Sequence, residues 1–208
     1  TLTMMIDTLL ASLPEVVPAE HSLAGAFNAP QGDAAEPYGL LTLHRPSNVD
    51  SREALEALLT AVGELSRRLP IVFPVHPRTR AKIEEFGLGA LIDLPGIAVF
   101  PPLGYLEMLG LMRSARLILT DSGGVQEETT ALGVPCLTLR ENTERPITVT
   151  QGTNRVVGTN PTDIKRAAQA VLDGEALMGR RPELWDGRAA ERIADDLISW
   201  LAPESATS

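Results

Sequence analysis

Two kinds of apolar pattern alternate along this chain. Short, nearly continuous runs of Leu, Val and Ile occur at 38–43, 71–75, 97–100, 117–120 and 134–139, with a briefer one at 155–157. Runs of four to six such residues fit strands buried on both faces. Between them apolar residues return every three or four positions, the spacing of a helix that buries one stripe. That spacing predicts helices over 4–13, 51–68, 78–86, 105–113, 125–132, 163–172 and 188–201. Pro14 and Pro18 close the first. Ser51 stands as the N-cap of the second, with Glu53 and Glu56 in its first turns, where the helix dipole favours acid. Residues 21–37, rich in Gly, Ala, Asn and Pro, predict a loop. Strand–helix alternation of this kind implies right-handed βαβ units, an α/β fold in which a parallel sheet is flanked by helices.

In such sheets ligands bind beyond the carboxyl ends of the strands, so the polar residues that follow each strand are the candidates for function. Four clusters qualify: His44, Arg45 and Asn48 after the first strand, His76 after the second, Asp121 to Glu128 after the fourth, and Arg140 to Arg145 after the fifth. The third cluster is the most informative. The apolar run 117–120 stops at Asp121, Ser122, Gly123 and Gly124, and a helical pattern begins at Val125. A strand, a tight turn and a helix start expose unpaired amides at the positive end of a dipole, and glycines let an anion come close to the backbone. Glu128, four residues beyond Gly124, shares its helix face, so a carboxylate would stand one turn above the anion. The diphosphate and ribose of a nucleotide fit that layout. A helix capped by Asp121 or Ser122 after a buried strand fits it equally, and these residues alone leave both readings open. The neighbouring Glu127 reads as a surface or supporting residue. Arg140 to Arg145 reads as a solvated turn in isolation; beside an anion site an arginine there could neutralise phosphate or hold the loop through Glu144.

Composition narrows the partners. At 208 residues the chain can bury a substantial core as one large α/β domain or two small ones, and with aromatics at 4% that core must be aliphatic. A net charge of −9 argues against a general binder of nucleic acid or of membrane surfaces. The lone cysteine, Cys136, lies in an apolar run and reads as a buried thiol; no disulfide, metal cluster or cofactor is expected. No signal-peptide pattern opens the chain, which makes the cytoplasm the expected location. It starts at Thr1 rather than Met, as a piece of a longer protein would.

Taken together, the segments at 41–48, 74–77, 119–128 and 139–146, followed by 150–158, resemble the bacterial, non-hydrolysing UDP-N-acetylglucosamine 2-epimerases in order and spacing. The resemblance covers nearly the whole chain. It implies the second domain of a glycosyltransferase-B type fold, with residues 1–20 as an interdomain connecting helix and linker and 21–208 as a C-terminal, Rossmann-like, nucleotide-binding domain. It also implies that the first domain, with the carboxylates that move the C2 proton, is missing. The reaction it implies interconverts UDP-N-acetylglucosamine and UDP-N-acetylmannosamine by eliminating UDP and adding it back after the sugar turns over, in an enzyme that is a homodimer at full length. Carried over position by position, Ser122, Gly123 and Gly124 hold the diphosphate, Glu128 takes the ribose hydroxyls, Arg145 contacts the nucleotide, and His44 is the catalytic group near the diphosphate. Arg45 and His76 match residues that line a second, allosteric substrate site in some members. Pro46 and Ser47 depart from the Arg-Glu pair common after that His-Arg, and bear on the allosteric assignment more than on the nucleotide site.

Two other functions share parts of this layout. A UDP-sugar glycosyltransferase of the same fold would keep the Gly-Gly helix and the ribose carboxylate. A non-catalytic nucleotide-binding module would keep the anion site alone. His44 with Arg45, and Glu144 with Arg145 and Pro146, favour the epimerase.

Overall fold

The computed structural model describes residues 3–26, 37–175 and 179–201. Six strands, β1 (Gly39–Thr42), β2 (Ile71–Pro74), β3 (Ile97–Phe100), β4 (Leu117–Thr120), β5 (Cys136–Thr138) and β6 (Asn154–Val156), form one parallel sheet in the order β3-β2-β1-β4-β5-β6. The order reverses between β1 and β4, the doubly wound Rossmann arrangement with its crevice at that point. The helices are α1 (Met4–Ser12), α2 (Ala19–Ser22), α3 (Pro46–Val49), α4 (Arg52–Leu65), α5 (Pro77–Glu85), α6 (Tyr105–Ser114), α7 (Gly123–Leu132), α8 (Pro146–Thr150), α9 (Pro161–Leu172) and α10 (Ala189–Leu201).

Period-two alternation sends neighbouring strand residues to opposite faces. Leu41, Ile71, Phe73, Leu117, Leu119 and Leu137 join the stripe of α4 (Leu55, Leu58, Leu59, Val62) and Ile164 and Ala168 of α9 in one core. Leu40, Val72 and Ile118 face the other way, against Ile6 and Leu9 of α1 and Leu109 and Met112 of α6. Both faces are covered, which is why the strands read as continuous apolar runs. Cys136 is fully buried, and burial pushes its thiol up to about 12.

The strand–helix alternation follows the sequence pattern, and Ser51 caps α4 by accepting from Ala54 N at 3.3 Å. Three short helices were not legible in it. Proline fixes φ without needing a donor, so α3 and α8 each start at a proline in what reads as loop. The expected loop at 21–37 begins with the end of α2, which holds His21 and Ser22, while 27–36 lie outside the described residues. Helix α7 starts at Gly123, two residues ahead of Val125, because first-turn amides need no intrahelical acceptor and glycine costs little there.

Candidate functional site

The β1–β4 switch point gathers three of the four polar clusters. Asp121 follows β4 and is fully buried, and it receives the end of β1. Its carboxylate accepts from the backbone N–H of His44 (3.0 Å), that of Arg45 (2.9 Å) and Nδ2 of Asn48 (3.2 Å), and lies 3.0 Å from His44 Nδ1. Asn48 also donates to the carbonyl of Leu139 after β5, at 2.8 Å. One carboxylate therefore locks the turns after β1 and β4 together and holds the His44 ring through Nδ1, leaving Nε2 as the outward nitrogen. The sequence pointed to Asp121 only as a cap. It is not the cap: Ser122 is the N-cap of α7, and among the described residues no side chain makes the capping hydrogen bond. Finding the role of Asp121 required knowing that β1 pairs with β4.

His44 and Ser122 line one cavity of about 200 Å³ with His76, Leu103, Met108 and Val125. His76 caps α5, accepting from Arg78 N at 3.2 Å, and its ring centroid lies 5.6 Å from that of His44. A larger open groove of about 860 Å³ runs along the β3 edge by Ile83, Asp93 and Ile97. It holds none of the strand-end clusters, so convergent chemistry, not volume, places the site.

Three arginines approach α7: Arg45 beside its first residue, Arg140 through Glu144, and Arg145 at Glu127. Arg45 arrives from β1; Arg140 and Arg145 come from the loop after β5. Glu144 sits among them, with Oε1 accepting from Arg140 Nη2 at 2.9 Å and Oε2 lying 3.6 Å from Arg45 Nη2. The hydrogen bond from Arg140, then the charges of Arg140, Arg45 and Arg145, hold the Glu144 carboxyl below the usual carboxylate range. The glycines divide the work. A Cβ on Gly123 would lie 3.8 Å from Glu144 Oε2 and 3.9 Å from Arg45 Nη2, so this residue faces the charged cluster. A Cβ on Gly124 would come within 2.8 Å of Met5 Cε, the free end of a flexible side chain of α1 that can give way.

Glu127 and Glu128 are both buried, which corrects the surface reading of Glu127. Arg145 Nε approaches Glu127 Oε2 to 3.1 Å, an ion pair by distance that is off-line for a hydrogen bond. Glu128 is hydrogen-bonded to Tyr105; burial raises its pKa, and the Glu127 charge adds to the rise. Burial, with the Glu128 charge and hydrogen bond, also pushes Tyr105 up to about 12. Gln126 is a further residue that the sequence did not single out. Its Oε1 accepts from Thr143 Oγ1 (2.5 Å) and Asn154 Nδ2 (3.2 Å), and its Nε2 donates to the carbonyl of Ser122 (3.1 Å). It thereby ties the arginine-bearing loop to α7. Ser122, Gly123, Arg45, Arg140 and Glu144 thus converge. His44 and His76 stand on one side of that cluster, and Arg145 on the other with Glu127.

A six-stranded, doubly wound sheet with a cationic helix start at its switch point defines half of a two-domain, glycosyltransferase-B-like architecture. The chain belongs to the UDP-N-acetylglucosamine 2-epimerase family, whose sequence profile matches residues 3–198. It is 39% identical over 192 residues to the UDP-N-acetylglucosamine 2-epimerase of Methanocaldococcus jannaschii, covering 91% of this chain and 51% of that one. It is 40% identical over 159 residues to the UDP-2,3-diacetamido-2,3-dideoxy-D-glucuronate 2-epimerase of Pseudomonas aeruginosa, covering 76% and 43%. The crystal structure of the M. jannaschii enzyme in complex with UDP-GlcNAc and UDP superposes with a TM-score of 0.83 at 36% identity, over 95% of this chain and 53% of that one. The chain spans about half the length of the relatives it matches. They are archaeal as well as bacterial, so the family is supported and its bacterial branch is not singled out.

Proposed function

We propose that this chain is the C-terminal, UDP-binding half of an epimerase that interconverts UDP-N-acetylglucosamine and UDP-N-acetylmannosamine by elimination and re-addition of UDP. Residues 1–20 would connect it to the first domain and 21–208 form the nucleotide domain. The observation that carries this reading is the helix start at the β1–β4 switch point, where Gly123 faces Arg45 and the Glu144 carboxylate, which Arg140 holds from its other side. Breaking the sugar–phosphate bond leaves charge on the diphosphate, which first-turn amides and cations are arranged to stabilise.

In this reading Ser122, Gly123 and Gly124 present the amides and Arg145 contacts the nucleotide. Glu128 takes the ribose hydroxyls in place of Tyr105. His44, held by Asp121, offers Nε2 near the leaving group as an acid or base. Arg45 belongs to the diphosphate cluster here, and a second substrate site including Arg45 and His76 remains a proposal. The carboxylates that act at C2 would come from the first domain, and the whole enzyme is proposed to be a homodimer. The P. aeruginosa relative, of comparable identity over a shorter span, supports a second reading of the sugar: the shared UDP and 2-acetamido groups are recognised, and other ring substituents are chosen elsewhere.

Titration with UDP, followed by NMR, tests the site. Shifts at the amides of Gly123, Gly124 and Glu128 are expected, with weak affinity because half of the cleft is absent. Amides that stay unmoved at about 1 mM UDP, roughly the weakest specific binding worth the name, would exclude the nucleotide site.

A further inference from the structure

Glu144 puts its own carboxylate where the preceding section puts a phosphoryl group. One oxygen takes a hydrogen bond from Arg140 and the other faces Arg45 and the open side of Gly123. The two arginines come from the ends of β1 and β5, the strands on either side of β4, so Glu144 bridges the helix start that β4 feeds. Among the described residues each guanidinium keeps a buried nitrogen with no acceptor, Nε of Arg45 and Nη1 of Arg140, so neither is saturated by the carboxylate. Glu144 is itself 53% exposed and lies between β5 and α8, outside any helix or strand. It can swing into solvent without unpacking anything. Leaving it in place beside a diphosphate would set like charges within a few ångströms of each other, which is costly where water is partly excluded.

We propose that Glu144 is a built-in competitor for the anion site. In the empty chain its carboxylate holds Arg45 and Arg140 at the start of α7; an arriving diphosphate takes both arginines and turns Glu144 out. This rests on reading that helix start as a diphosphate site. The arrangement keeps the two cations placed before ligand arrives, at the expense of affinity, since binding must first break the internal pairs. A residue that merely held the arginines in position would have the opposite signature, because its removal would loosen them and weaken the anion.

The test uses the 208-residue chain with Glu144→Gln and Glu144→Ala, titrated with pyrophosphate, UDP and uridine by calorimetry and by the Gly123 amide shift. Both variants are expected to bind pyrophosphate and UDP about 2- to 5-fold more tightly, the scale of exposed ion pairs, with uridine unchanged and the gain shrinking at high salt. Equal or weaker pyrophosphate binding in both variants, with wild type still binding UDP, overturns the competitor. A wild-type chain that binds neither pyrophosphate nor UDP overturns the site reading instead.

Discussion

In its proposed role, Glu128 would serve binding at the expense of stability. Burial raises its folded-state pKa above the ordinary carboxylate value that it has in the unfolded chain. The native state then holds the proton to higher pH than the unfolded state does. Its contribution to stability is full below the ordinary carboxylate range and declines as pH rises from there through the raised value. Glu128→Gln removes that decline, so thermal melts should show a higher Tm at neutral pH and a flatter pH profile than wild type. The same change should weaken UDP by about 10- to 100-fold, the worth of a hydrogen bond to a charged group, and pyrophosphate far less. Equal losses for the two ligands in calorimetry would take the ribose role away from Glu128.

At the scale of elements, α7 carries both the proposed site and a packing surface, and its two leading glycines face different neighbours, Gly123 the charged cluster and Gly124 the end of Met5. Gly123→Ala has room for its Cβ, with no described atom closer than 3.8 Å, and at the first helical position the exchange costs the helix nothing. The variant is expected to melt at or above the wild-type temperature while losing pyrophosphate and UDP, since its methyl fills the approach to the amides. Gly110 in α6 is the contrasting case. A Cβ there would collide with the carbonyl of Val17, a backbone atom that cannot step aside. Gly110→Ala is expected to lose about 1–3 kcal/mol or more in denaturant unfolding, as overpacked sites do, because the segment between α1 and α2 lies directly on α6. A neutral result would mean that this segment is not packed in solution as it is here.

For the whole molecule, the proposed function divides the chemistry between two halves. His44 is the only acid–base group of this chain proposed near the reacting bond, and one imidazole cannot remove the C2 proton from one face of the sugar and return it to the other. The proposal therefore expects the isolated chain to catalyse no exchange of the C2 hydrogen of UDP-N-acetylglucosamine with D₂O. Each missing acid–base group typically accounts for about 10²–10⁴-fold in rate, and loss of domain closure would leave the cleft wet. NMR of the substrate in D₂O checks this. Exchange by this chain alone would contradict the assignment of the C2 chemistry to the first domain; exchange that appears when the first domain is added, and disappears with His44→Ala, would support it.

The local pattern by itself determined the elements and the kind of sheet. Strands buried on both faces must be continuously apolar, as 117–120 is, and helices packed on one side must be striped, as 52–65 is, so periodicity reports both without reference to the rest of the chain. The same pattern placed His44, His76, Ser122 and Arg140 at strand ends, and hence on one edge of a parallel sheet. Short helices begun by proline escaped because four or five residues are too few to show a period. What only the tertiary structure decided is which ends are neighbours. The pairing of β1 with β4 turns Asp121 from a candidate cap into the buried partner of His44, Arg45 and Asn48. The docking of α1 brings the end of the Met5 side chain against Gly124. The fold of the loop after β5 buries Glu127 and sets Glu144 between two arginines. Apart from the Arg140–Glu144 pair, which is four residues apart, these contacts join residues distant in the chain, and no local preference carries information about such a partner.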